Sequence, residues 1–298
     1  MREIAIIGPT ACGKSSLAIE VAKEANSYIL SLDSLAIYKH IDIVSAKPTK
    51  EEMQEIEHFG ISLINPDEEF NASLYLKLYS EVKEKCKKDK KNLIIVGGSS
   101  FYLKTIIDGL SDEPDYSKEA QEKTEKLLIN IKEAYEFLNN IDPKVCKTIK
   151  PNDRYRIEKA LLVYFCTGKN ITDFREKNKK LTQKNRIKIF EIEIDREVLR
   201  GRIKERTKKM IQDGVIDEVA WLEKNYTRKP KSMNSIGIKE TLEYFDGKIN
   251  KKELADLIST HTAQFAKRQN TFNNNQFDEI VKKPKELLKK EIVDYLLG

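Results

Sequence analysis

The sequence predicts an α/β protein: a P-loop NTPase-like core, with a central parallel sheet flanked by helices, plus a helical insertion domain. Three observations carry this. First, Gly8-Pro9-Thr10-Ala11-Cys12-Gly13-Lys14-Ser15 fits G-x-x-x-x-G-K-[ST] and follows the apolar run Ile4-Ala5-Ile6-Ile7, giving the order strand, phosphate loop, helix. Second, Tyr28-Ile29-Leu30-Ser31-Leu32 and Asn92-Leu93-Ile94-Ile95-Val96 are short, nearly continuous apolar runs, the pattern of strands covered on both faces. Third, from Ser111 to about Asn185 strand signals give way to helical patterns rich in Lys, Glu, Leu and Tyr.

The 298 residues suffice for one large domain with a smaller one inserted. The expected division is 1–111 with 186–298 as the phosphate-loop core and 112–185 as the insertion. The formal charge of +6 comes from 54 basic against 48 acidic residues, an excess that allows a polyanionic partner without requiring one. Cys12, Cys86, Cys146 and Cys166 form no C-x-x-C pair and read as reduced thiols of a cytoplasmic protein. Met1 runs directly into the first strand, and no window approaches eighteen apolar residues, so neither a signal peptide nor a membrane segment is expected. None of the three histidines has metal-ligand spacing, and no metal cage is readable.

Each element follows in order. The first helix should run from Ser15 to Ala25, with its N-terminal N–H groups turned to a phosphate and Lys14 supplying counter-charge. The strand Tyr28–Leu32 ends at Asp33. Ligands of open α/β sheets bind at the carboxyl ends of strands, which makes Asp33 a candidate for chemistry; the alternative is a capping aspartate. Ser34 to Pro48 reads as irregular, Phe59 to Ile64 as a strand, and Asn71 as the start of a helix whose apolar positions are Leu74, Leu78, Val82 and Cys86. Gly97-Gly98-Ser99 ends the Asn92–Val96 strand without an acidic residue, which weighs against nucleotide hydrolysis. Arg186 to Ile194 alternates as a strand, and Asp195 opens a helix through Asp213 on which Arg202 and Arg206 share a face. Helices follow at Val215–Lys224, Gly237–Phe245 and Lys251–Asn270, the last with a polar stripe of Gln264, Lys267, Arg268 and Thr271.

The loop alone leaves hydrolases, kinases and pyrophosphate-releasing transferases open. Gly8-Pro9-Thr10 with Gly13-Lys14-Ser15, Asp33-Ser34, Ile37-Tyr38, Ser45-Ala46-Lys47-Pro48, Val96-Gly97-Gly98-Ser99 with Tyr102, Pro151-Asn152-Asp153 with Arg156, Asp195-Arg196 with Arg202 and Arg206, and Ala266-Lys267-Arg268-Gln269 occur in that order. Together they make the chain resemble the tRNA dimethylallyltransferase (tRNA isopentenyltransferase) family over nearly its whole length.

The resemblance implies transfer of a dimethylallyl group from its diphosphate to the exocyclic N6 of adenosine 37, 3′ of the anticodon, in tRNAs reading codons that begin with U. It implies Asp33 as general base, assisted by the Ser99 hydroxyl. It places the diphosphate on Gly8, Pro9, Thr10, Ala11, Cys12, Gly13, Lys14, Ser15 and Arg206, with Mg2+ at Ser15. It offers Asp33, Ser34, Leu35, Ala36, Tyr155, Arg156, Lys159, Lys267 and Arg268 as contacts to the tRNA anticodon stem-loop, in a protein expected to be a monomer. Ser99 stands where threonine is common, Asn234 where arginine is frequent, and Phe272 where tryptophan is usual. The alternatives are a small-molecule or nucleoside-monophosphate kinase, opposed by the long insertion without a compact Arg-rich lid, and a nucleic-acid-binding ATPase regulator.

Overall fold

The computed structural model describes residues 1–53, 56–110, 114–178 and 187–298. Two compact units emerge, Met1–Ile107 with Lys184–Gly298, and Asp108–Gln183. The expected borders at 111/112 and 185/186, and Arg186 as a strand residue, lie outside the described residues.

In chain order, β1 (Glu3–Ile7), α1 (Lys14–Glu24), β2 (Ser27–Leu32), α2 (Lys50–Met53), β3 (His58–Phe59), α3 (Ala72–Lys88), β4 (Asn92–Gly97) and α4 (Ser100–Asp108) come first. The interposed segment contributes α5 (Lys118–Leu127), α6 (Ile131–Ile141), α7 (Pro143–Cys146), α8 (Arg154–Thr167) and α9 (Ile171–Lys177). Then come β5 (Lys188–Ile192), α10 (Arg196–Gln212), α11 (Val215–Tyr226), α12 (Ile238–Phe245), α13 (Lys251–Gln276), β6 (Ile280–Lys283) and α14 (Lys285–Leu297).

The strands form one parallel sheet in the order β3-β2-β4-β1-β5-β6. β1, β2 and β4 are mostly apolar because both faces are covered. Ile4, Ile6, Ile29, Ile94 and Val96 join Leu17 and Val21 of α1 and Leu288 of α14 in one core. Their alternates Ala5, Ile7, Leu30, Leu32, Leu93 and Ile95 join Tyr75 and Val82 of α3 and Leu103 of α4 in another. β1 lies at the switch in strand order, with β4 on one side and β5 on the other, so a ligand site is expected at its carboxyl end.

The irregular stretch after Asp33 is anchored by side chains. Ile37 and Ile41 are buried with Val215 and Leu222 of α11 and Ile238 of α12. The carboxylate of Glu218 accepts the N–H groups of Asp42 at 2.8 Å, Ile43 at 2.7 Å and Val44 at 3.0 Å, so backbone that no ladder pairs is satisfied by one side chain. The second unit buries its own core, including Leu138, Ile157 and Leu161. Ser117, Asn130, Asp153 and Asn170 cap its helices by accepting first-turn N–H groups, which marks their starts in sequence.

Three expectations change. The strand at Phe59–Ile64 shrinks to His58–Phe59, because Gly60 and Ser62 take φ of 78° and 52° and turn the chain, leaving Ile64 an isolated bridge to Tyr38. On α3 the buried residues are Tyr75, Tyr79, Val82 and Cys86, while Leu74 is exposed. Four-residue spacing fits two neighbouring stripes, and the tyrosines are accommodated because their hydroxyls find acceptors: Tyr75 donates to the Ser31 carbonyl at 3.1 Å and Tyr79 to Glu3 at 2.8 Å. Finally, α13 extends to Gln276, and β6 and α14 follow it. Ile280-Val281-Lys282-Lys283 is too short and basic to announce a strand alone and forms through pairing with β5.

Candidate active site

A cavity of about 400 Å³ opens at the carboxyl ends of β1, β2 and β4. Gly13 builds one wall: it is the N-cap residue of α1 at φ 99°, and no side chain caps this helix. A residue with a Cβ is strained there, and the first-turn N–H groups remain for a ligand. Since β4 lies between β1 and β2, Asp33 is separated from the phosphate loop by the Gly97–Ser99 turn. That turn is tightly confined, because a Cβ on Gly97 would meet the Leu32 carbonyl oxygen at 2.2 Å.

Thr10, Ala11, Gly13, Lys14, Ser15, Asp33 and Ala36 line the cavity, with Lys47, Arg202, Arg206 and Gln269. The Lys47 ammonium is held by Asp42 at 2.6 Å, so Lys14, Arg202 and Arg206 are set against the one lining carboxylate, Asp33, an excess of positive charge that a polyphosphate needs. The Lys14 ammonium donates to the Pro9 carbonyl at 2.6 Å, Arg202 to the Cys12 carbonyl at 3.2 Å, and Arg206 to the Ser45 carbonyl at 3.4 Å. These neutral acceptors bind a cation less strongly than phosphate oxygens do. Burial lowers the Arg206 guanidinium from its usual range, and the charge of Asp33 opposes that shift.

Asp33 divides its carboxylate. Oδ1 accepts from the N–H groups of Leu35 at 2.8 Å and Ala36 at 3.2 Å, while among the described residues no hydrogen bond is made to Oδ2. Capping and chemistry, posed as alternatives by the sequence, are compatible here. Ser99 does not line the cavity; its hydroxyl accepts the Ser34 N–H at 3.1 Å and donates to the Ser34 hydroxyl at 3.3 Å. Burial, with Tyr38 and Asp33 adding to it, pushes the Tyr102 phenol up to about 12, so it stays protonated. His58 also lines the cavity. Its Nδ1 lies 2.8 Å from the Ile56 carbonyl, which can only accept, so Nδ1 carries the proton, and burial lowers its pKa.

Residues 36–276 match the family described as IPP transferase. The chain belongs to the IPP transferase family. It is 52% identical to a tRNA dimethylallyltransferase of Sulfurimonas denitrificans, over 99% of this chain and 100% of that one. The crystal structure of a tRNA delta(2)-isopentenylpyrophosphate transferase from Staphylococcus epidermidis superposes with a TM-score of 0.70 at 31% identity, covering 98% of this chain and 97% of that one. A eukaryotic dimethylallyltransferase captured acting on tRNA gives a TM-score of 0.80 at 26% identity, covering 91% of this chain and 69% of that one.

The predicted residues divide into several groups. Gly8, Pro9 and Cys12 belong to the loop but do not line the cavity. Cys12 turns its side chain into the core at 1% exposure, 3.8 Å from the Lys14 ammonium. Ser34 is exposed, Leu35 half-buried and Ala36 buried. Tyr155 and Arg156 are exposed on the first turn of α8, and Lys159 lies over the Tyr116 ring at 5.2 Å. Lys267 and Arg268 are exposed on α13, Arg268 over the Phe265 ring at 5.7 Å. Phe272 packs edge-on against Phe277 at 6.4 Å, which accounts for its aromatic ring through packing.

Sequence reasoning missed the roles of Gln269 and Glu191. Gln269 is 7% exposed, directly beside the exposed polar stripe of α13; its only sequence signal was membership of Ala266-Lys267-Arg268-Gln269. Glu191 occupies a polar-looking position in an alternating strand yet is 1% exposed. It is held by Lys282 at 3.0 Å and Asn273 at 3.2 Å.

Proposed function

We propose that this protein transfers a dimethylallyl group from dimethylallyl diphosphate to N6 of adenosine 37 in tRNAs reading codons that begin with U. The observation that carries the reading is the joining, in one cavity, of a cation-lined phosphate loop with an aspartate whose Oδ2 takes no hydrogen bond among the described residues. The adenine amino nitrogen attacks C1 of the dimethylallyl group, the C1–O bond breaks, and diphosphate leaves with the electron pair. The N6 proton passes to Asp33 Oδ2. Thr10, Lys14, Ser15, the loop backbone and Arg206 stabilise the growing charge on the leaving group, and the Ser99 hydroxyl assists through the turn it fixes.

Among the described residues no group of three His, Cys, Asp or Glu side chains could hold a metal, so Mg2+ fits here only as an ion carried on the donor's oxygens. The exposed Ser15 hydroxyl, at the start of α1, is the protein ligand at hand, and a bound Mg2+ would neutralise charge on the diphosphate. Contacts to the anticodon stem-loop fall to Ser34, Leu35, Tyr155, Arg156, Lys159, Lys267 and Arg268. The adenosine leaves its stack to reach Asp33.

The kinase alternative loses support because β4 ends on two glycines beside Gln269 rather than on an acid that could hold magnesium. Among the described residues no helix is long and apolar enough to cross a membrane, and the four cysteines are free, as suits a reducing cytoplasm. The test incubates the protein with unmodified tRNA and either dimethylallyl-labelled diphosphate or γ-labelled ATP. Prenyl label in adenosine is expected; label transferred only from ATP would overturn the reading.

A further inference from the structure

The β1–β4 ladder ends at the pair Ile6 and Val96. Beyond it one chain enters the phosphate loop and the other the turn that carries Ser99. One side chain rejoins them: Gln269 Oε1 accepts the Thr10 N–H at 2.9 Å, and its Nε2 donates to the Gly98 carbonyl at 2.9 Å. The amide's orientation is fixed, since a backbone N–H only donates and a carbonyl only accepts. The contact leaves no slack, for a Cβ on Gly98 would lie 2.1 Å from Nε2. From Gly98 the path continues through Ser99, whose N–H donates to the Leu32 carbonyl at 2.9 Å and whose hydroxyl accepts the Ser34 N–H at 3.1 Å. Leu32 and Ser34 flank Asp33.

We propose that Gln269 is a positioning residue that sets the separation between the loop holding the leaving diphosphate and the strand end carrying the base. This rests on the function proposed above. The helix bearing it is itself pinned to the sheet one turn later. There the fully buried Asn273 donates to Glu191, whose side chain lies beside the first loop glycine, 3.6 Å from where a Gly8 Cβ would stand. From one face of α13, Gln269 thus bonds the phosphate loop and the Gly98 carbonyl directly, while Asn273 holds Glu191 beside that loop. Binding the diphosphate needs the loop; transfer also needs the loop at the right distance from Asp33. The two can be separated by substitution.

Gln269→Met keeps the side chain's length and removes both hydrogen bonds. Gln269→Glu keeps an acceptor for Thr10 but sets a carboxylate against the Gly98 carbonyl until it is protonated. Single-turnover transfer from bound donor should fall about a hundredfold in Gln269→Met, with pyrophosphate Kd within about threefold of wild type. In Gln269→Glu the deficit should shrink as pH is lowered toward the carboxyl range, a profile the wild-type amide cannot show. Should the Met variant not fold, the Glu variant carries the test alone. Pyrophosphate affinity falling in step with transfer would make Gln269 only a brace of the phosphate loop, and undiminished transfer would likewise overturn the proposal. Absence of transfer by the wild type would instead overturn the function it rests on.

Discussion

Arg206→Ala removes the guanidinium whose worth the structure allows to be worked out. Among the described residues Arg206 hydrogen-bonds only the Ser45 carbonyl, at 3.4 Å, near the limit of a useful hydrogen bond, so giving it up for a phosphate oxygen costs little. Burial already lowers the guanidinium's pKa against the opposing charge of Asp33, which marks a site where an anion is weakly screened. A hydrogen bond between charged partners in such a place contributes about 1.5–3 kcal/mol. With ~1.4 kcal/mol per tenfold, Arg206→Ala should weaken pyrophosphate binding roughly 10- to 150-fold. Arg206→Lys should recover part of this, because it keeps the charge and loses the planar fork. Titration calorimetry with pyrophosphate, beside melting curves for each variant, reads the effect directly. A folded Arg206→Ala protein with wild-type pyrophosphate affinity would refute the reasoning and leave Arg206 as a tether for the Ser45 segment.

Three further outcomes are expected. Ser99→Thr should be nearly silent in turnover while Ser99→Ala loses rate, because the hydroxyl that takes the Ser34 N–H is kept in the first and lost in the second; equal losses would point to packing beside Gly98. Asn234 is exposed at the end of the 3-10 turn Lys231–Asn234, so Asn234→Arg should tighten anticodon stem-loop binding at low salt. It should also steepen the slope of log affinity against log salt by ~0.7, the value of one phosphate on single-stranded RNA, whereas an unchanged slope would mean that this position does not face RNA. Burial lowers the folded-state pKa of His58, so between that value and about 6.5 the unfolded chain binds more protons. The His58 contribution to stability is thus whole above that window and lost as pH falls through it. His58→Gln should flatten melting temperature against pH over that interval, and an unaltered profile would count against the buried neutral imidazole.

The parts of the fold that sequence disclosed are those where local pattern and tertiary role coincide. β1, β2 and β4 are apolar because both faces are covered, and Asn71 and Asp195 announce helices they do cap. The parts it concealed depend on partners distant in the chain. Tyr75 and Tyr79 displace Leu74 from the core because acceptors on Ser31 and Glu3 await their hydroxyls, and β6 exists only through its pairing with β5. The site divides the same way. The phosphate loop and Asp33 were legible from a motif and a strand end. Glu218, which collects three backbone N–H groups from a segment 174–176 residues earlier, has no local signature. Gln269 could be seen only as one letter of a larger resemblance.

In the proposed reaction Asp33 takes a proton from the adenosine while the phosphate loop holds the leaving diphosphate. Single-turnover transfer by Asp33→Asn tests it most directly, with tRNA and pyrophosphate affinities measured on the same preparation. Asparagine can still accept the Leu35 and Ala36 N–H groups that Asp33 caps, so fold and binding should persist. Transfer is predicted to fall roughly a hundred- to ten-thousand-fold with both affinities unchanged. A fall of less than about threefold, with the fold intact, would contradict the account and leave Asp33 as a cap alone.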